Sequence, residues 1–123
     1  VRTVFEASYR ALPEEAARMF RYLGLSPTGP ITVQQAALLA DTDLATTRRL
    51  LDVLADRHLL EQTSQDCYRF HGLIGIYAAE CAEYEPKGHR DLACIRLRGW
   101  EDDFVSRRVA ALERNGTPQV TMA

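Results

Sequence analysis

The sequence predicts a mainly α-helical winged helix-turn-helix with a short two-stranded wing and an extra C-terminal helix. Three observations carry this. Two short apolar helical patterns flank the tight turn Asp41-Thr42-Asp43. Two strand-like runs, "LLEQ" and "CYRFH", follow at once and are separated only by the polar turn "TSQD". Helical periodicity then resumes at "LIGIYAAECAEYE" and again at "RDLACIRLRGWEDDFVSRRVAALER". A helix, a turn of three or four residues, a second helix with a leucine face and a hairpin make up the helix-turn-helix with a wing.

Each element has a local cause. In "FEASYRALPEEAARMFRYLGLSP", Phe5, Tyr9, Leu12, Ala16, Phe20 and Leu23 recur at helical intervals. Pro13 followed by Glu14 and Glu15 suits a first helical turn, so the apolar segment before it reads as a separate short helix. Gly24 and Pro27 stop the second helix, and "PTGP" at 27–30 is a turn. Thr32 is placed to cap a helix over about Val33–Ala40, and Asp43 to cap the next, through about Arg57. Leu44, Leu50, Leu51, Leu54 and Leu59 supply an apolar face for that second helix. Tyr68 and Phe70 alternate with Arg69, as in a half-buried strand. In the last helix, from about Arg90 to Arg114, Ala93, Leu97, Trp100, Phe104 and Ala111 share one stripe with Val105 and Leu112 beside it. Gly99 interrupts that helix and predicts a bend or a close contact. The expected division is a winged-helix domain over 1–85, a C-terminal helix over 86–115 and a disordered tail over 116–123.

Composition narrows the functional classes. A chain of 123 residues, 46% hydrophobic and 26% charged, suits one soluble domain with a modest core. A formal net charge of −2 gives no bulk attraction to nucleic acid or to an anionic membrane. Lys87 is the only lysine and stands in "EPKGHR", so the Gly-Lys-Ser/Thr of a phosphate-binding loop is missing. Cys67, Cys81 and Cys94 form no close ligand pair; their odd number and the lack of a leader pattern predict reduced thiols in the cytoplasm. No apolar run approaches a membrane span. The start at Val1 reads as a processed product or a piece of something longer. No nucleophile, metal or nucleotide motif of an enzyme is present. The expectation is a protein with no catalysis, no metal and no cofactor.

Taken together and in this order, "FEASYRALPEEAARMFRYLGLSP", "ITVQQAALLA", "RRLLDVLADRHLLEQ" and "YRFHGLIGIYAAE" resemble the winged-helix module of STAND-type NTPase regulators. These are multidomain bacterial proteins with an NB-ARC nucleotide-binding domain, found among antibiotic-pathway regulators. The resemblance covers roughly residues 3–84, and "RLRGW" at 96–100 resembles the start of the helical structure that follows the module. It implies a regulatory module that packs on the NTPase domain of a larger regulator. In the family a His-Asp pair after the wing faces bound nucleotide, the histidine contacting a phosphate, as an imidazole at a helix start can. His71 matches that histidine, whereas Gly72 stands where the family has aspartate. His71 alone is therefore not expected to bind nucleotide. Read without the resemblance, His71 is a locally hydrogen-bonded residue at a strand–helix joint, and His58, Cys67 and Cys81 are packing or surface residues.

Two surfaces follow from these readings. If the module met DNA, Thr46, Thr47, Arg48 and Arg49 on the second helix and Arg69 in the wing would face it. Against this, residues 31–62 carry three arginines and five acids, Asp41, Asp43, Asp52, Asp56 and Glu61. Leu97, Trp100 and Phe104 on the tail helix are the candidates for a protein or homodimer interface; packing back on the first helix is the alternative. The leading expectation is a protein-contact module in bacterial transcriptional or signalling control. A dimeric DNA-binding regulator comes second, and a leader whose tail "NGTPQVTMA" is recognised by a partner enzyme comes third.

Overall fold

A computed structural model describes the backbone of residues 2–115 and, within it, the side chains of residues 5–103 and 105–112. Residues 116–123 and the side chain of Phe104 lie outside the described residues. Among the described residues, six helices and three short strands follow one another as α1 (Arg2–Arg10), α2 (Glu14–Leu23), β1 (Ile31–Thr32), α3 (Val33–Ala40), α4 (Leu44–Asp56), β2 (Leu60–Ser64), β3 (Cys67–Phe70), α5 (Ile74–Ala82) and α6 (Lys87–Asn115).

The core forms around α2, which packs against α3, α4 and α5. Ala16, Met19, Phe20 and Leu23 point inward from it and meet Leu39, Leu51, Leu54 and Ala78. The short helix α1 is fastened by rings: Tyr9 lies 5.5 Å from Phe20, and Phe5 lies 6.3 Å from Tyr77. Gly24 acts differently from a simple helix stop. Its φ is −63°, open to any residue, but a Cβ there would sit 2.1 Å from the Ala78 carbonyl oxygen. Glycine is needed because α2 and α5 approach too closely for any side chain.

Both expected caps of the helix-turn-helix are formed. Thr32 makes a full capping box with Gln35: Gln35 N donates to Thr32 Oγ1 at 3.1 Å, and Thr32 N donates to Gln35 Oε1 at 2.8 Å. Thr46 N donates to Asp43 Oδ1 at the start of α4. That bond holds the Asp43 carboxyl below its ordinary pKa. On α4, Leu50, Leu51 and Leu54 are buried, but Leu44 is 53% exposed, because it sits in the first turn beyond the reach of the core.

The wing is a three-stranded antiparallel sheet in the order β1-β3-β2 rather than a two-stranded hairpin. Ile31 pairs with Tyr68 and Thr32 with Cys67. Two residues are too few to show alternation, so β1 left no pattern to read. Tyr68 is buried, and its hydroxyl donates to Asp52 Oδ1 at 2.7 Å, tying the central strand to α4. Burial and that bond push the Tyr68 pKa up to about 12. Cys67, Cys81 and Cys94 are free thiols. None of the described helices is long and apolar enough to cross a membrane.

Helix α6 begins at Lys87, earlier than the periodicity indicated, since Pro86 already accepts a bond from Arg90 N. It runs through Gly99 without a break, and a Cβ at Gly99 would meet open space, so a close contact does not account for this glycine. The helix packs on α3, not on the first helix. Ala93 is fully buried there and Leu97 is partly buried against the core. From Glu101 to Val109, every residue whose side chain is described is exposed.

Candidate functional site

Three places in the fold hold the residues singled out by sequence. The first is the wing end, where the start of α4 meets the turn between β2 and β3. Arg48 projects from α4 across a groove of about 340 Å³ lined by Thr32, Val33, Gln34, Leu44 and Asp66. Its guanidinium donates to Asp66 Oδ1 at 2.7 Å and to the Gln65 carbonyl at 3.2 Å. The bond to Asp66 raises the Arg48 pKa against the effect of desolvation. Arg49 pairs with Glu15 of α2 at 3.0 Å, and Arg69 pairs across the hairpin with Glu61 at 3.2 Å. All three arginines of this end therefore face carboxylates of the same chain. Thr47 is fully buried, its hydroxyl donating to the Asp43 carbonyl at 2.7 Å, and so it faces the core instead of a groove. Thr46 is half-buried at the helix start. Sequence reading missed Asp66, since a polar turn does not announce which side chain it will meet.

The second place is an open depression of about 450 Å³ between α1, the end of α4 and the start of α5. Arg57, His58 and His71 line it together with Phe5, Leu73 and Ile74, and no carboxylate is among its described lining residues. The backbone shapes it at two left-handed positions: His58 at φ 61°, and Gly72 at φ 60°. At Gly72 an L-residue would be strained, so the residue that replaces the expected aspartate also lets the chain turn sharply from β3 into α5. His71 is exposed; its N–H faces the Leu59 carbonyl at 3.4 Å, and its carbonyl accepts from Ile74 N at 3.2 Å. The joint is thus locally hydrogen-bonded through its backbone, while the imidazole lies on the depression. Arg57 and His58 were not anticipated there. Their closeness to His71 depends on how the end of α4 packs beside β3, which spacing along the chain does not encode. Among the described residues no group of three or more His, Cys, Asp or Glu could hold a metal ion.

The third place is α6. Its first turns are fastened by a cluster of arginines: Arg96 donates to the Leu38 carbonyl at 2.6 Å and to the Leu39 carbonyl at 3.0 Å. Arg18 of α2 donates to the Ala40 carbonyl at 2.9 Å and stacks 4.7 Å over the Tyr22 ring. Together they satisfy the final carbonyls of α3, the electronegative end of that helix. At the helix start, Arg21 donates to Glu85 at 2.8 Å, to Tyr9 Oη at 2.9 Å and to Glu14 at 2.9 Å. Burial disfavours its charge, but these three bonds outweigh burial and raise its pKa. Of the interface candidates, Leu97 packs against the core and Trp100 is half-buried. Neither stands out from the surface as the stripe alone implied.

The chain is similar to a segment of two regulatory proteins. It is 38% identical over 121 residues to regulatory protein AfsR of Streptomyces griseus, a match covering 94% of this chain and 12% of the relative. It is 41% identical over 83 residues to regulatory protein AfsR of Streptomyces coelicolor, covering 68% of this chain and 8% of that protein. No family model matches. The chain thus spans about a tenth of the length of these AfsR relatives. A match over 94% of the chain has to include residues of α6, so the likeness to the S. griseus AfsR is not confined to the winged helix.

Proposed function

We propose that this chain is a non-catalytic winged-helix module of bacterial transcriptional or signalling control, acting through protein contacts as part of a larger regulator of the STAND type. One observation carries the reading: Arg48, Arg49 and Arg69, the cations expected to meet DNA, are each already paired with an acid of the chain. Binding to a duplex draws on cations that neutralise phosphates, and here each would first have to leave its carboxylate. The similarity to segments of two regulatory proteins supports the regulatory role.

The depression lined by Arg57, His58 and His71 is the docking face that suits this role. Its apolar wall and cationic rim fit a protein surface carrying an anionic group, such as the NTPase domain of a larger regulator with nucleotide bound. His71 serves there as one contact among several, with Arg57 supplying the permanent charge.

A salt titration of DNA retention tests the reading. The expected result is weak retention at physiological salt that Arg48→Ala with Arg49→Ala leaves unchanged. Strong retention, with a salt slope that flattens in this double variant, would replace the reading with a DNA-binding one. Mixing the chain with an AfsR relative from which the matching segment has been removed tests the docking face. Arg57→Ala with His71→Ala should weaken that complex by roughly tenfold or more.

A further inference from the structure

Three elements meet at a small polar pocket between the end of α3 and the start of α6. Arg18 and Tyr22 stand one turn apart on α2, and His89, Leu92 and Arg96 share one face of α6 at i, i+3 and i+7. Asp41, the residue that ends α3, completes the lining. Its φ of 55° and its N–H bond to the Ala37 carbonyl fix its place there. The pocket measures about 190 Å³. That is below the roughly 300–1,000 Å³ of sites for larger ligands, so it suits a molecule of amino-acid size and not a nucleotide.

The fold compensates the charge of this pocket only in part. Arg18 bonds to the Ala40 carbonyl, and Arg96 to the Leu38 and Leu39 carbonyls, but among the described residues neither pairs with a carboxylate. A guanidinium has more N–H donors than these bonds use, so both forks keep donors to spare. The carbonyls carry no net charge, and the end of α3 contributes only about half a negative charge. The Asp41 carboxylate, too, has no hydrogen-bond or ion-pair partner among the described residues, although two cations line the same pocket. Both forks are held in advance, Arg18 over the Tyr22 ring and Arg96 by its two main-chain bonds. Such preorganisation lowers the entropic cost of taking up a ligand.

We infer that this pocket binds a small amino dicarboxylate, of which glutamate and aspartate are the simplest forms. Such a ligand carries two carboxylates and one ammonium, and the pocket offers two guanidiniums and one carboxylate. One acid group meets Arg18, the other meets Arg96, and the ammonium meets Asp41. His89 and Leu92 form the α6 wall beside it. A phosphate would set like charge against Asp41, and a dicarboxylate without the amine would do the same. The site lies apart from the depression between α1, α4 and α5, and the inference does not rest on the docking role of that depression.

An NMR titration of the isotope-labelled whole chain with L-glutamate tests it, followed at backbone amides and at arginine Nε–H groups. Saturable shifts at millimolar glutamate are expected, centred on Arg18, Asp41, His89 and Arg96. Asp41→Asn removes the charge but keeps a residue that accepts a left-handed φ, and its amide spectrum checks folding. This variant should bind glutamate at least about tenfold more weakly. It should bind glutarate, the same diacid without the amine, more tightly than wild type does. A wild type without saturable shifts, or with shifts centred elsewhere, overturns the inference. So does an Asp41→Asn variant that keeps the preference for glutamate over glutarate, or inorganic phosphate that binds wild type as tightly as glutamate. Arg57→Ala with His71→Ala, the variant for the docking face, should leave the titration unchanged, so the two readings fail separately.

Discussion

The arginines at the wing end and those along the α2–α3–α6 seam belong to one residue type and do opposite work. At the wing end, Arg48, Arg49 and Arg69 each hold one exposed carboxylate, and each pair remains in water. Along the seam, Arg18 and Arg96 reach main-chain carbonyls at the end of α3, and Arg21 joins α1, α2 and the approach to α6. Exposed pairs add little to stability because solvent screens them and their side chains must be ordered. Bonds to the otherwise unsatisfied carbonyls of a helix end add more, since each carbonyl loses its partner if the donor is removed. The contrast teaches that a count of cations says little about binding until the partner of each cation is known.

Removing Arg21 should show the largest effect. Its side chain is 14% exposed and that of Glu85 is 11%, so Arg21→Ala leaves a nearly buried carboxylate without its cation. A loss of about 3 kcal/mol is expected in urea denaturation. A loss below about 1 kcal/mol would erase the distinction between the two arginine sets. Next, Arg96→Ala strands two carbonyls of α3 and loosens α6, for an expected loss of about 2 kcal/mol. Faster amide exchange over Leu92–Leu97 should accompany it while the wing stays protected.

Tyr68 belongs to the wing end, where it lies under the wing and bonds to Asp52 of α4. Its folded pKa, pushed up to about 12, exceeds the ordinary value of 10, so the folded state holds a proton that the unfolded state releases. The associated stability is complete below pH 10 and is lost as pH rises from there toward 12. Tyr68→Phe should flatten that part of the stability profile and lower stability at neutral pH by about 1 kcal/mol. An unchanged alkaline slope in the variant would assign the loss to other groups.

Smaller effects sharpen the comparison from its exposed side. Gly99→Ala, with open space for the added Cβ, should raise the helicity of α6 and stabilise it by up to about 1 kcal/mol. Last comes a double-mutant cycle on Arg48 and Asp66, in which the coupling energy should be about 0.5 kcal/mol and should fall with salt. A coupling several times larger would place Arg48 among the structural arginines.

Much of the architecture was legible because its causes are local. Thr32 with Gln35, and Asp43 with Thr46, announce helix starts through side chains that reach only three residues. The leucine spacing of α4 and the Tyr68/Phe70 alternation name their buried faces in advance, with Leu44 the exception. The sites were less legible. Thr47 and Arg48 are neighbours in sequence, yet one is buried and the other crosses to Asp66, eighteen residues away. His71 could be singled out by resemblance, but Arg57 and His58 join it only through packing.

What this chain determines by itself is the order of its helices and of the two hairpin strands, though not β1, because capping, periodicity and turn chemistry act within a few residues. Only the tertiary structure decided which arginines bind the fold and which remain at its surface, that Gly24 is a packing requirement, and that α6 lies on α3. Those outcomes depend on distances between residues far apart in sequence, such as Arg96 and Leu38 or Gly24 and Ala78, and such distances exist only once the core has closed.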